Sequence, residues 1–362
     1  MSLSSKRGFA LKAGAVLAAI TLSAGLATPA NAGVTITGSG SSAIGNLLDV
    51  CIPAYQQEFG NTVVYSKPGS GAGRTAFIGN TVDFAMSDGL FGSSDKPGAY
   101  AYIPMTQFPL AIMARLDGFK GTLQLSPATV TKIFAGKITK WNDAAIVADN
   151  TVVNAKTKKK TVAKLPATAI TVNFRDGKSG STGILTGWMK KLAPDVWTTA
   201  SGETFSSIFP GGTIPAGTFQ AQVGSDGLAN GVKAKDGSIG YAETSYATER
   251  KLLIASIQNN VGEFVQPTAA ATSAFINGFT AGTNGAISID YSSKVKGSYT
   301  IAGYTYAIAY TSDKNVGTQA IVRQFLGYVL DDCAKASATK LGYAPLTGAL
   351  LALANKQILL VN

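Results

Sequence analysis

The sequence predicts an α/β protein of two lobes, and three observations carry that prediction. Strand-like apolar runs alternate with segments of helical periodicity along the chain, the pattern of an α/β architecture. Behind an N-terminal leader remain roughly 330 residues, more than one hydrophobic core usually serves. The only two cysteines, Cys51 and Cys333, stand near the two ends of that remainder. A bond between them puts both ends of the chain in one lobe and its middle in the other.

The leader comes first. Lys6, Arg7 and Lys12 flank the apolar stretch AGAVLAAITLSAGL, and Ala30, Asn31 and Ala32 give a small-x-small cleavage pattern, so residues 1–32 read as a secretory signal peptide. No later window approaches the ~20 apolar residues of a membrane-spanning helix. With no cysteine at the cleavage site, a lipoprotein anchor is not expected, and the mature chain is placed in the periplasm or outside the cell. In an exported protein an isolated cysteine pair is most simply a disulfide, with two buried free thiols as the alternative. Closing so long a loop contributes up to roughly 5 kcal/mol in the chain-entropy model.

The elements then follow in order. Strands are expected in GVTITGSG, NTVVYSKPG, PLAIMARL, AITVNFR and YTYAIAYTS. After Ser42, the residues Ile44, Leu47, Leu48, Cys51 and Tyr55 fall at i, i+3, i+4, i+7 and i+11, an amphipathic helix that turns Cys51 inward. A second helix is expected from Pro127, with Ser126 as its cap and Gly136 at its end. A third follows Ser181, with Ile184, Leu185, Trp188 and Leu192 on one side. The charge block KTKKKTVAK, from Lys156 to Lys164, reads as a solvated hairpin or loop.

Composition removes whole classes of chemistry. The chain contains no histidine, which excludes Ser-His-Asp and Cys-His relays, imidazole metal sites and phosphohistidine enzymes. No carboxylate cluster has metal-ligand spacing, and no cofactor is expected. Without the leader, 28 basic residues face 20 acidic ones, so the net charge falls from +11 to +8. That balance favours an anionic ligand or surface. Nucleic acid is not the expected partner, because no basic motif with interleaved aromatics is present.

The stretch FRDGKSGSTG contains the Gly-Lys-Ser tail of a P-loop, but Val172 occupies the place of the glycine that the loop needs five residues before Gly177. What remains is Arg175 followed by hydroxyls and glycines. Three such Gly/Ser clusters occur, at Gly38–Ser42, Gly69–Gly73 and Ser179–Thr182, each between a strand-like run and a helix. The first N–H groups of a helix lack partners and the helix dipole favours negative charge there, so the three clusters with Arg175 describe an oxyanion cage. Arg175 offers a fork for two oxygens of a tetrahedral anion. Asp88, after VDFAMS, is either a turn residue before Gly89 or an acceptor for the proton of hydrogen phosphate, which sulfate cannot offer.

At these residues the chain resembles the phosphate-binding protein family of the high-affinity bacterial phosphate ABC importer. The resemblance runs through GSGSS, YSKPGSGAG, NTVDFAMSD, KIFAGKITKWND, FRDGKSGST and GSIGYAE, and so covers nearly all of the mature chain. It implies the two-lobed α/β type II periplasmic binding fold with the ligand in the cleft between the lobes. Residues 33–112 and 301–362 would form the first lobe and residues 113–300 the second.

By motif position, the phosphate ligands would be the Ser42 hydroxyl, the Ala43 N–H, Ser70, Asp88, Arg175, Ser179, Gly180 and Ser181. The chain departs from the family pattern twice. Ala43 and Ile44 stand where a bulky aromatic and a proline are usual, and Asp176 comes one place early, with Gly177 where the aspartate is expected. The partners implied are inorganic phosphate and a membrane permease, with the protein acting as a monomer and not as an enzyme. A secreted phosphatase or a surface or adhesion protein remains the alternative.

Overall fold

The alternation of strand-like and helical segments is realised as a mixed sheet with helices packed against it. The structure is a computed structural model and describes residues 33–362 except 93–96, 154–155, 277–278, 280, 283 and 313–315. The expected signal peptide, 1–32, lies outside the described residues.

Nine strands form the main sheet among the described residues: β1 Thr35–Gly40, β2 Thr62–Ser66, β3 Phe84–Ser87, β4 Tyr100–Ala114, β5 Thr171–Arg175, β6 Phe219–Gln222, β7 Ser238–Glu243, β8 Leu253–Ile254 and β9 Ala302–Tyr310. Their order is β2-β1-β3-β9-β4-β7-β5-β6, with β8 pairing to the end of β4 on the edge opposite β7. The pairs β1–β2, β1–β3, β5–β7 and β5–β6 are parallel, whereas β9 and β7 run antiparallel to β4. The parallel strands need crossovers, which the helices supply.

β4 joins the two halves of this sheet. The sequence suggests a strand from Pro109, but the observed one begins at Tyr100 and is buried along almost its whole length. Burial on both faces erases the period-2 alternation that marks a half-exposed strand, which is why its first half is hard to read. Its two prolines occupy positions that lack a regular ladder. Pro104 pairs with Tyr306 beside a register shift between Thr305 and Tyr306, and Pro109 is where pairing with β9 ends. From Leu110 onward β4 pairs with β7. A proline lacks the N–H of a regular ladder and is tolerated at such places.

The helices that matter for the site are α1 Gly45–Phe59, α2 Ser70–Ile78, α3 Pro127–Phe134, α4 Gly180–Leu192, α5 Gly224–Ala234, α6 Thr244–Glu249 and α7 Val316–Tyr328. In α1, the predicted inward residues Ile44, Leu47, Leu48, Cys51 and Tyr55 are all fully buried. α3 has Pro127 in its first turn, and the Ser126 side chain accepts from the Thr129 N–H. α4 starts earlier than its apolar periodicity suggests, because Ser179 is the cap. Ile184, Leu185 and Trp188 face the core, and Leu192 is half-buried against it.

Cys51 of α1 is bonded to Cys333, at the end of the turn Val329–Cys333 that continues α7, with 5.7 Å between the Cα atoms. Tyr55 packs against Phe325 and Tyr328 alongside it, so the bond fastens two helices that already share an aromatic cluster. Within the lysine-rich stretch, Lys160–Val162 pairs with Thr151–Val153 as an exposed antiparallel hairpin, as the charge density predicts.

Candidate functional site

The three Gly/Ser clusters all fall between a strand's end and the start of a helix. Gly38–Ser42 leads from β1 into α1, Gly69–Gly73 opens α2 after β2, and Ser179–Thr182 opens α4 after β5. β1 and β2 are parallel and end side by side, whereas β5 runs opposite to them through the antiparallel pairs β3–β9, β9–β4 and β4–β7, so its C-terminal end and the start of α4 meet theirs from the facing side. The clusters touch one another. The Gly69 N–H donates to the Gly40 carbonyl at 2.9 Å, and the Gly71 N–H to the Lys178 carbonyl at 3.2 Å.

Asp88 lies at the centre of this edge, one residue past β3. Its Oδ1 accepts from the Ser41 hydroxyl at 2.6 Å and the Thr305 hydroxyl at 2.7 Å, and its Oδ2 from the Ser70 hydroxyl at 3.2 Å. Burial pushes its carboxyl above the ordinary range, while the hydrogen bonds from Ser41, Thr305 and Ser70 and the charge of Arg175 work against that rise. Three hydroxyl donors on one side chain suit a carboxylate, which can only accept. Gly180, the first residue of α4, presses against it: a Cβ there would lie 2.6 Å from the Asp88 Cβ. Only glycine allows α4 to bring its N-terminus so near.

Arg175 ends β5 and is 2% exposed. Its Nη1 donates to the Ser42 hydroxyl at 3.1 Å, while Nε and Nη2 are buried without a hydrogen-bond partner among the described residues. Burial lowers its pKa, and the surrounding acidic and tyrosine groups, Tyr241 first and then Asp88, oppose that shift. Nη2 faces the loop that carries Ser70, since a Cβ on Gly69 would stand 3.2 Å from it. The Ser181 hydroxyl, in the first turn of α4, is likewise buried and unpartnered. Buried polar groups are normally satisfied, so two guanidinium nitrogens and a hydroxyl left over on one edge mark a place for an anion.

Of the sequence-predicted residues, Ser42, Ser70, Asp88, Arg175, Gly180 and Ser181 converge on this edge. Ser179 joins them as the α4 cap, with its hydroxyl accepting from the Thr182 N–H at 3.4 Å. Ala43 lies in the same loop, where its N–H donates to the Ser41 hydroxyl at 3.0 Å. The two departures from the family pattern are accommodated. Ala43 and Ile44 are fully buried. Gly177 takes a left-handed φ of 69°, and Asp176 accepts its N–H, so the turn after β5 uses both residues and leaves Arg175 aimed inward. Lys178 is exposed.

Sequence reading missed Ser41, Thr305 and Ser225. Ser41 neighbours a predicted residue, and nothing in the sequence says which of two adjacent serines turns toward Asp88. Ser225 bonds Ser42, its N–H donating to the Ser42 Oγ at 3.1 Å. Gly224-Ser225 after β6 repeats the strand, Gly/Ser, helix pattern with a single serine, and that pattern would have found it. Thr305 sits inside β9 and carries no such signal.

Two cavities flank the cluster. One of about 200 Å³ borders Asp88 and Gly180 between Ile184, Ile287 and Tyr304. Another of about 500 Å³ opens between Arg74 and Lys178, where Arg74 is ion-paired to Glu203. Among the described residues no group of three metal-ligating side chains is present, and no helix is long and apolar enough to cross a membrane.

Comparison with known proteins places this geometry. The model of the PBP superfamily domain matches residues 26–332. A phosphate-binding protein PstS of Xylella fastidiosa is 34% identical over 67% of this chain and 62% of its own length, so this chain spans less than two thirds of that relative. Phosphate-binding protein PstS 3 of Mycobacterium leprae is 31% identical over 81% of this chain and 78% of that protein.

Among solved structures, a phosphate binding protein from Stenotrophomonas maltophilia covers 89% of this chain and 93% of its own, with a TM-score of 0.68 at 22% identity. An ABC-type phosphate transport receptor from Vibrio cholerae covers 86% of this chain and all of its own, with a TM-score of 0.54 at 17% identity. At that identity the likeness speaks for the fold alone, the two-lobed α/β type II periplasmic binding fold.

Proposed function

Since this chain belongs to the PBP superfamily and has relatives named phosphate-binding protein PstS, we propose that it captures inorganic phosphate and delivers it to the membrane permease of an ABC importer. The observation that carries this reading is Arg175, a buried cation with two unpartnered nitrogens at an edge built from helix N-termini and serines. A tetrahedral dianion supplies the acceptors that those donors lack. Ser42, Ser70, Arg175, Ser179, Gly180 and Ser181 would donate to its oxygens. Asp88 would accept its remaining proton.

The lobes of this reading are residues 33–112 with 301–362, and residues 113–300. The change of partner along β4 at Pro109 and Leu110 supports that division. The protein then works outside the cytoplasm as a binding module without turnover. Titration calorimetry of the mature chain tests the reading, with one phosphate bound per chain and a Kd of about micromolar or tighter expected. No heat with phosphate, together with turnover of a phosphomonoester, would favour the phosphatase alternative.

A further inference from the structure

Behind the loop Ser41–Ala43 lies a titratable group to which phosphate capture assigns no task. Glu243 is the last residue of β7 and is 1% exposed. Its Oε1 accepts from the Ser245 hydroxyl and stands 3.4 Å from the Tyr343 hydroxyl, while Oε2 has no partner among the described residues. The single hydroxyl proton of Tyr343 goes to the Ala43 carbonyl at 2.6 Å, and that of Tyr246 to the Ser42 carbonyl at 2.8 Å. On the other side, Asn46 of α1 donates to the Ser245 hydroxyl at 2.7 Å and to Glu249 at 2.8 Å. The anion loop is thus held from below by two tyrosines, and Glu243 touches one of them.

The charged and titratable groups that face Glu243 are Glu249 of α6, Asp88 beyond β3, Arg175 of β5, and the hydroxyls of Tyr246 and Tyr343. No ion pair compensates it within this set. Burial pushes its carboxyl well above the ordinary range, the Ser245 hydrogen bond opposes the rise, and the charges of Glu249 and Asp88 add to it. Burial also holds the Tyr343 hydroxyl well above its usual value, so Tyr343 keeps the proton that it donates.

We propose that Glu243 is a positioning residue for the phosphate loop that works as a neutral acid. While it carries its proton, Tyr343 is left free to hold the Ala43 carbonyl. When it ionises, Oε1 becomes the stronger acceptor and draws the Tyr343 proton from Ala43. A negative charge then also stands beneath the anion. Phosphate affinity therefore falls as pH rises through the titration of Glu243. This rests on the reading that the Ser42 loop borders the phosphate.

The test is phosphate titration of the full mature chain from about pH 5 to about pH 9, with Glu243→Gln, Tyr343→Phe and the double variant beside the wild type. Free phosphate titrates in all four, so the ratio of affinities is the readout. The affinity of Glu243→Gln relative to wild type should grow by about ten-fold across the range, a usual size for coupling between two sites. The double variant relative to Tyr343→Phe should show a smaller growth, because the competition for the proton is gone.

Infrared difference spectra read the acid without phosphate. The wild-type spectrum minus that of Glu243→Gln, in which the raised carboxyl of Asp88 cancels, should show the carbonyl band of a protonated carboxyl at the acid end of the range and lose it over the same pH interval. A pH-independent affinity ratio in folded proteins, or no such band at any pH, overturns the proposal. Wild type that binds no phosphate while keeping the band overturns the phosphate reading instead, and with it the loop's part in the proposal.

Discussion

Arg175 Nη1 donates to the Ser42 hydroxyl at 3.1 Å although 133 residues separate the two. The contact fixes one arm of the guanidinium and leaves Nε and Nη2 directed to a buried edge without partners. A buried cation that meets an anion there is strongly favoured, and truncating one partner of such a pair costs ~2–5 kcal/mol. Arg175→Ala should therefore weaken phosphate binding by at least about 30-fold. Calorimetry on the folded variant checks this, and binding within about two-fold of wild type would remove Arg175 from the site.

As the proposed acceptor of the hydrogen phosphate proton, Asp88 is expected to govern selectivity rather than strength. Its carboxylate can accept the proton of hydrogen phosphate but can only repel sulfate, whereas the amide of Asp88→Asn has an N–H to offer. Phosphate affinity of the variant should change little, since a lost acceptor and a lost repulsion offset each other. Millimolar sulfate should compete in the variant and not in wild type. Competition binding decides it, and a variant that still excludes sulfate places selectivity elsewhere.

Glu203 and Arg74 form an ion pair with side chains only 20% and 10% exposed, at the opening between α2 and the segment after α4. Arg74 is held as well by the Ser87 hydroxyl at 2.7 Å and the Gly89 carbonyl at 3.1 Å. The pair bridges the two proposed lobes, so Glu203→Gln should speed phosphate release by roughly ten-fold, about 1.4 kcal/mol, with less effect on the association rate. Stopped-flow release of bound phosphate provides the measurement. An unchanged release rate would show that the pair does not restrain opening.

The bond between Cys51 and Cys333 closes a span of 282 residues. Replacing both with serine should lower unfolding stability by ~2–5 kcal/mol, as is usual for such bonds. Denaturant unfolding of the double variant, with and without reductant for the wild type, gives the value. Phosphate binding should survive, because neither cysteine belongs to the proposed ligand set.

Asp88 and Glu243 both have carboxyls raised in the folded protein, so the folded state holds their protons where the unfolded chain has released them. Stability from these two groups is then greatest near the unfolded pKa of ~4 and declines as pH rises toward the folded values. Thermal melts of the phosphate-free protein should show this fall, and Glu243→Gln should flatten it. A melt temperature that rises with pH in wild type and variant alike would contradict the assigned directions.

Much of this protein was determined by local sequence. The α1 face, the Ser126 and Pro127 start of α3, and the order of Gly/Ser clusters follow from backbone chemistry that acts over a few residues. Local pattern marked the loops and Arg175, while the ligand set Ser42, Ala43, Ser70, Asp88, Arg175, Ser179, Gly180 and Ser181 was implied by motif position in the family that the chain resembles.

Tertiary structure decided the rest. The strand Tyr100–Ala114 hides its first half because both its faces are buried. Ser41, rather than Ser42, turned to Asp88 and took the Ala43 N–H. Thr305 reached Asp88 from a strand 217 residues further on. Glu243 has no ion pair among the described residues because β7 ends under the loop Ser41–Ala43, far from it in the sequence. A hydroxyl or a carboxyl is the same in every sequence context; which partner it meets, and whether water can reach it, depends on segments far apart in the chain.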